Sequence, residues 1–130
     1  MNSIFCIFPQ NIKEAYSGLR FIVDELNIRN DFRAVFPDIY SIITGKVIEC
    51  DKFLEPEWIA RLAGNFCIRY FQTLHWSEIQ YTQDCRAWEK AYSKTTFPTT
   101  DAILGFNAHI NYDLAFCIAK TILPVVIYEI

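Results

Sequence analysis

The sequence DAILGFNAHINYDLAFCIAKTI, residues 101–122, is the longest stretch of the chain with a clear helical pattern. Within it, Asn107, His109, Asn111 and Asp113 occupy every second position of an otherwise apolar run. A buried polar group that lacks a partner costs about 1–3 kcal/mol, so this cluster needs a structural or functional reason. The pattern predicts that residues 101–122 form the central helix of the fold.

The faces of this helix follow from a rotation of about 100° per residue. One flank is formed by the small residues Ala108, Ala115 and Ala119, which suit close approach by another helix. The other flank is apolar and consists of Ile103, Phe106, Ile110, Leu114, Cys117 and Ile118. Two apolar flanks predict that neighbouring helices surround the segment, and we expect it to be the least exposed element of the chain.

Apolar residues at helical spacing predict four long helices, the central helix included, and one shorter helix. The first runs from Ile12 to Ile28, with Asn11 as its N-cap. The third begins at the sequence Glu55-Pro56-Glu57 and extends to about Trp76, because proline and acidic residues favour a helix start. A short helix is expected over residues 84–93, before the central helix.

The second helix is expected from Phe32 to about Val47, with Pro37 either in its first turn or dividing it into two pieces. The β-propensity of residues 42–48 leaves a strand as the alternative there. Its predicted buried face is Phe32, Val35, Phe36, Ile39, Tyr40 and Ile43.

The ends of the central helix are also marked in the sequence. Thr99, Thr100 and Asp101 compete as its cap, and Leu123-Pro124 is expected to end it before an apolar tail. The whole pattern predicts an all-α fold, in which residues 1–130 form a single-domain bundle of about five helices around the central buried helix.

Composition excludes several classes of function. Hydrophobic residues make up 52% of the chain and the net charge is −3 with no basic run, so nucleic-acid binding is not expected. No stretch reaches the roughly 18 apolar residues of a membrane span. Five cysteines at wide spacings favour reduced thiols and a cytoplasmic location; they are Cys6, Cys50, Cys67, Cys85 and Cys117.

His109 and Asp113 lie one helical turn apart, so their side chains can form a hydrogen bond. Such a bond fixes the imidazole tautomer and raises its basicity, which suits a general base. The same spacing can present two ligands to a metal ion, although one imidazole and one carboxylate do not complete its shell. The structural alternative is an internal clasp, with Asn107 and Asn111 bonded to backbone carbonyls of neighbouring helices. For Arg69 that alternative is a salt bridge or a solvated helix edge.

The segment LGFNAHINYDL, residues 104–114, resembles the signature of an uncharacterised, mainly bacterial family catalogued as domain of unknown function 5995. Three upstream stretches resemble the same family: Phe36-Pro37-Asp38-Ile39-Tyr40 followed by Thr44, Phe66-Cys67-Ile68-Arg69-Tyr70-Phe71, and Ala87-Trp88. The resemblance implies an all-helical fold and no transferable activity. Members of that family continue past the signature helix, which implies that this chain lacks that segment or folds its tail back.

Three functions remain open. The first is a small-molecule site, enzymic or purely binding, in which His109 is the base or ligand and Asp113 orients it. The second is a non-catalytic protein-interaction module in which the polar cluster is structural. The third is a metal-binding helical domain that uses His109, Asp113 and a residue of another helix. No motif identifies a reaction, a cofactor or an oligomeric state. The ligand-binding candidates are Asn107, Asn111, Arg69 and Tyr70.

Overall fold

The computed structural model describes residues 7–78, 86–95 and 97–129, with Arg86 and residues 123–129 described by their backbone alone. Within these ranges every regular element is a helix, so the all-α prediction is confirmed and the strand alternative for residues 42–48 is wrong. A 3-10 turn (Phe32–Ala34) precedes α2, and a π turn (His109–Asp113) joins α5 to α6. The helices are α1 (Ile12–Ile28), α2 (Val35–Glu49), α3 (Pro56–Glu78), α4 (Arg86–Ala91), α5 (Pro98–Ala108) and α6 (Leu114–Glu129).

The first helix begins as its sequence predicts. The side chain of Asn11 accepts a hydrogen bond from the backbone N–H of Glu14 at 3.0 Å. In return, the carboxylate of Glu14 accepts from the backbone N–H of Gln10 at 2.7 Å. Two backbone donors that have no partner inside the helix are thereby satisfied at its N-terminus.

The start of the signature helix differs from the prediction. α5 begins at Pro98, with Phe97 at the N-cap position and no side-chain capping bond. Proline occupies the first turn because its missing N–H would have no helical partner there. Asp101 is not the cap: its carboxylate accepts a hydrogen bond from the backbone N–H of Thr95 at 2.8 Å.

Most of the core comes from α1 and α3, which contribute four residues each. Four α3 side chains, those of Cys67, Tyr70, Phe71 and Leu74, have at most 1% of their surface exposed. α1 packs against both α2 and α3, while α3 also contacts α6 and the π turn. Outside α3, the core comes from α1, α2 and α4 and includes Leu19, Ile22, Leu26, Phe36, Tyr40 and Trp88.

The burial expected for residues 101–122 is found on one side of the segment alone. Ala108 and Cys117 are buried, whereas Ala115 and Ala119 are exposed. The segment lies at the edge of the bundle, with α2, α3 and α4 on its inner side, so half of its apolar residues face outward. A second correction concerns α2, where Ile39 and Ile43 are exposed rather than buried. The exposed large side chains of the segment are Ile103, Ile110, Tyr112, Phe116 and Ile122.

The helix does not end before Pro124, since α6 continues to Glu129. Proline removes one N–H donor, but its fixed φ angle is helical, so a helix can pass through it with a local bend. Of the short helix predicted over 84–93, residues 86–91 are helical, and 84 and 85 lie outside the described residues. The last tail residue, Ile130, also lies outside them.

Three thiols are free, those of Cys50, Cys67 and Cys117, in agreement with the prediction of reduced cysteines. The other two, Cys6 and Cys85, lie outside the described residues. Within the described ranges, no helix combines the length and the apolar character that crossing a membrane requires.

Candidate functional site

A π turn brings His109 and Asp113 to the inner side of the bundle. The backbone N–H of Leu114 bonds to the carbonyl of His109, five residues back instead of four. Buried residues recur here at intervals of four, which on an α-helix would drift by about 40° per step. The wider turn holds one extra residue and corrects that drift by about 100°. The residues kept on one inner face are Asp101, Gly105, His109, Asp113, Cys117 and Thr121.

Gly105 permits close contact between α5 and α2 beside this site. A Cβ atom at Gly105 would lie 2.7 Å from the ring of Phe36 and 2.9 Å from its Cβ atom. Both distances are below van der Waals contact, so a side chain at position 105 would push the two helices apart. The glycine therefore sets how closely α2 approaches His109.

The carboxylate of Asp113 is the centre of the site. It is completely buried, with 0% of its surface exposed. Its Oδ1 accepts a hydrogen bond from Arg69 Nε at 3.1 Å, and its Oδ2 accepts from Trp88 Nε1 at 2.8 Å. Oδ2 also lies 3.0 Å from Nδ1 of His109. A buried charge is tolerated when a countercharge and hydrogen bonds replace water, and Asp113 has both.

These contacts fix the proton positions on His109. A carboxylate accepts hydrogen bonds but cannot donate them, so Nδ1 of the imidazole carries the hydrogen. Burial lowers the pKa of His109 below its ordinary value of 6.5, and the hydrogen bond and charge of Asp113 offset that effect only in part. The ring is therefore neutral near pH 7, and its Nε2 carries a lone pair.

The Nε2 atom is buried and has no hydrogen-bond partner among the described residues. His109 as a whole is 2% exposed. The hydroxyl of Tyr70, whose ring centre lies 6.0 Å from that of His109, is likewise buried without a described partner. Burial raises the pKa of Tyr70 well above its usual range, so the phenol stays protonated. Each of these two neighbouring rings thus carries a buried polar atom without a described partner.

Aromatic rings form that enclosure. Phe66 stacks on the imidazole with its ring parallel and 3.5 Å away, and it is the one partly exposed member. Tyr40 approaches edge-on at 4.7 Å and Phe36 at 5.6 Å. Trp88 lies at 6.0 Å while it donates to Asp113. The imidazole is therefore held by one polar partner and several apolar walls.

The structure brings four of the six predicted site residues together. His109 and Asp113 form the expected hydrogen bond, Arg69 pairs with Asp113, and Tyr70 lies in the aromatic enclosure. The two asparagines are on the opposite, exposed face, where Asn111 Nδ2 donates to Asn107 Oδ1 at 2.7 Å. Neither asparagine bonds to a backbone carbonyl of a neighbouring helix among the described contacts. The two asparagines therefore lie outside the cluster around His109, on the other face of the segment.

The profile of the protein family described as Family of unknown function (DUF5995) matches residues 12–125, a range that contains every residue of this site. The chain belongs to the DUF5995 family. No curated protein and no solved structure matches it. Membership supports the resemblance seen in the sequence and brings no activity with it.

Sequence reasoning missed Phe36, Tyr40, Phe66 and Trp88 as parts of the site. Each belongs to one of the stretches whose resemblance to DUF5995 was noted, and all four surround His109 in the structure. The order of these stretches along the chain was therefore a usable signal. Their convergence could not be seen from helical spacing, because it depends on contacts between four different helices.

Proposed function

We propose that His109 and Asp113 form the polar end of a small-molecule site, in which Nε2 of His109 accepts a hydrogen bond or a proton from the bound molecule. The observation that supports this role is the buried lone pair of Nε2, which no described residue satisfies. A purely structural clasp needs only the Nδ1 contact to Asp113. The second nitrogen, Nε2, is a neutral hydrogen-bond acceptor surrounded by apolar side chains. A general base or a ligand-binding imidazole requires such an acceptor.

Arg69 and Trp88 act in this proposal as positioning residues. Both donate to Asp113, and Asp113 in turn fixes the tautomer and orientation of His109. An imidazole whose orientation is set before the ligand arrives loses little conformational freedom on binding. The network therefore prepares Nε2 to act, and Arg69 does not itself contact the ligand.

The enclosure defines the chemistry of the ligand. Its walls are aromatic, so they favour a flat or apolar body, and the neutral imidazole favours one hydrogen-bond donor on that body. We infer a small uncharged molecule with a hydroxyl or N–H group.

We propose that the side chain of Phe66 controls access to the site. Its ring covers one face of the imidazole and is the only wall residue of the five that is partly exposed. Rotation of this side chain would uncover Nε2 without unfolding a helix. Side-chain rotation is far faster than global unfolding, so such opening would admit ligands to the folded protein.

The interaction module is the second candidate function, because the outer side of the same segment carries exposed apolar side chains such as Ile103 and Ile110. The metal-binding alternative has less support. Among the described residues, no group of three or more His, Cys, Asp or Glu side chains could hold a metal ion.

The proposal is tested by acylation of the folded protein with diethyl pyrocarbonate, a small reagent that reacts with neutral imidazole. We expect His109 to be modified at least about 10-fold faster than global unfolding permits, as local opening would allow. Phe66→Ala should raise that rate further. Phe21→Ala, at a partly exposed phenylalanine of α1, is the control and should leave it unchanged. Modification of His109 only at the rate of global unfolding would show a sealed clasp and contradict the proposal.

A further inference from the structure

Five isoleucines are exposed on the outer side of α2 and α5. Ile39, Ile42 and Ile43 belong to α2, Ile103 belongs to α5, and Ile110 follows in the π turn. Between 37% and 61% of the surface of each residue is exposed. We call this group the isoleucine face. Apolar side chains exposed singly are ordinary, but a contiguous group of this size marks a surface that binds something.

The contacts between the two helices show that the group is contiguous. The ring of Phe36 lies against Gly105 and 5.0 Å from that of Phe106, and the ring of Tyr40 lies 4.7 Å from that of His109. These contacts define the side on which α2 and α5 meet. On a helix, the residue three positions after a contact lies on its flank.

Ile39 and Ile43 stand three positions after Phe36 and Tyr40, and both are exposed, so they lie on the outer flank of the contact. Ile110 follows Phe106 by four positions on the matching flank of the other helix. The isoleucine face therefore lines both sides of the outer seam between α2 and α5.

The face carries no charge. Residues 39–45 and 102–112 contain no Asp, Glu, Lys or Arg, and their one titratable imidazole, His109, is buried and neutral. The central parts of protein interfaces are depleted in charged residues, and interfaces between identical subunits are the most apolar class. An uncharged surface also offers no charge pattern by which a particular unlike partner would be selected.

We propose that a second copy of this chain binds at the isoleucine face, with a two-fold axis relating the copies. The five isoleucines together expose as much surface as about two and a half fully exposed isoleucine residues. A standard interface buries about 800 Å² per partner with its rim included. The isoleucine face would supply the apolar centre of such an interface, and the residues around it would supply the rim.

The asparagine pair beside the face fits the same symmetry. Asn107 Oδ1 accepts from Asn111 Nδ2, which leaves an amide donor on Asn107 and an oxygen acceptor on Asn111 for a partner. A two-fold interface places the same patch of each subunit against itself, so it requires groups that complement themselves. One donor and one acceptor on neighbouring turns meet that requirement.

The test is the molar mass of the full chain in solution, measured by light scattering and sedimentation at protein concentrations up to about 1 mM, where even a weak dimer forms. We expect twice the chain mass of 15.2 kDa. Ile43→Glu and Ile103→Glu each place a charge in the apolar contact and should raise the dimer dissociation constant at least about 10-fold. Both sites are on the surface, and circular dichroism checks that each variant folds.

Ile28→Glu is the matched control, because Ile28 is 74% exposed on α1, away from the isoleucine face. It should leave the dissociation constant unchanged. A monomer at every concentration would overturn the proposal. A dimer that Ile28→Glu weakens while Ile43→Glu and Ile103→Glu do not would overturn it as well. The result does not depend on the small-molecule site, since neither isoleucine contacts Nε2 of His109.

Discussion

The signature segment carries two polar pairs at the same spacing of four residues, and they occupy opposite environments. His109 and Asp113 are 2% and 0% exposed, and their network reaches α3 and α4. Asn107 and Asn111 are exposed and bond to each other. The spacing of four residues thus accounts for the contact within each pair. Whether a pair is buried or exposed depends on the packing of other helices against it.

The difference between the pairs has an energetic consequence. The buried carboxylate of Asp113 is bonded to three protein donors instead of water. Removal of its charge therefore leaves those donors without an adequate acceptor. The outer amides keep water as an alternative partner. We therefore expect the free energy of unfolding to depend strongly on the inner pair and hardly at all on the outer pair.

Asp113→Asn should have the largest effect. The asparagine side chain has one oxygen, so its NH₂ group must face either Arg69 or the N–H groups of Trp88 and His109. Donor would then meet donor, and Arg69 would lose its buried countercharge. We expect the free energy of unfolding to fall by about 3–5 kcal/mol in urea denaturation.

The control for this substitution is Asn111→Ala on the outer face, which should change the free energy of unfolding by less than about 0.5 kcal/mol. Equal losses in the two variants would contradict the contrast between the pairs. A loss below about 1 kcal/mol for Asp113→Asn would show that the carboxylate is already solvated.

Gly105→Ala should have the next largest effect on the free energy of unfolding. The sign of that change shows whether close packing or helix propensity dominates at this position. Propensity alone predicts a gain of about 1 kcal/mol for alanine in a helix. At Gly105 the new Cβ would lie 2.9 Å from Cβ of Phe36, which is too close to the backbone to move freely. We expect a net loss of about 1–3 kcal/mol, measured by the same denaturation.

Gly45→Ala provides the comparison, since its Cβ would lie 3.4 Å from the ring of Tyr16, an ordinary contact with a partly exposed side chain. This variant should be as stable as the parent or slightly more so. A gain in stability for both glycine variants would show that α2 does not need its close approach to the signature helix.

The sequence predicted those features that depend on local spacing. Asn11 as a cap, α1 from Ile12 to Ile28 and the His109–Asp113 bond are found as expected. It did not predict the π turn, because no local preference distinguishes five-residue from four-residue bonding within an apolar run. The outward position of Ile103 and Ile110 was missed for a related reason: periodicity finds an apolar flank, but contacts with other helices decide whether that flank is covered.

Trp88 shows a further limit of sequence reasoning. Trp88 lies four residues before Tyr92, so the two share one helix face, and their rings stack with their centres 5.2 Å apart. The hydrogen bond from its indole N–H to Asp113 joins residues 25 positions apart, and the local sequence at neither position predicts that bond. The acceptor of a buried side-chain donor can be identified only once the position of the partner helix is known.

The most direct test of the account is ¹⁵N NMR of the imidazole nitrogens of His109 in the folded protein between about pH 5 and 8. We predict hydrogen on Nδ1, none on Nε2, and a midpoint below the ordinary pKa of 6.5. Because the unfolded chain would take up this proton first, His109 should also reduce stability as the pH falls below 6.5. Hydrogen on Nε2 near pH 7, or a midpoint above 6.5, would contradict the claim that His109 presents a neutral acceptor oriented by Asp113.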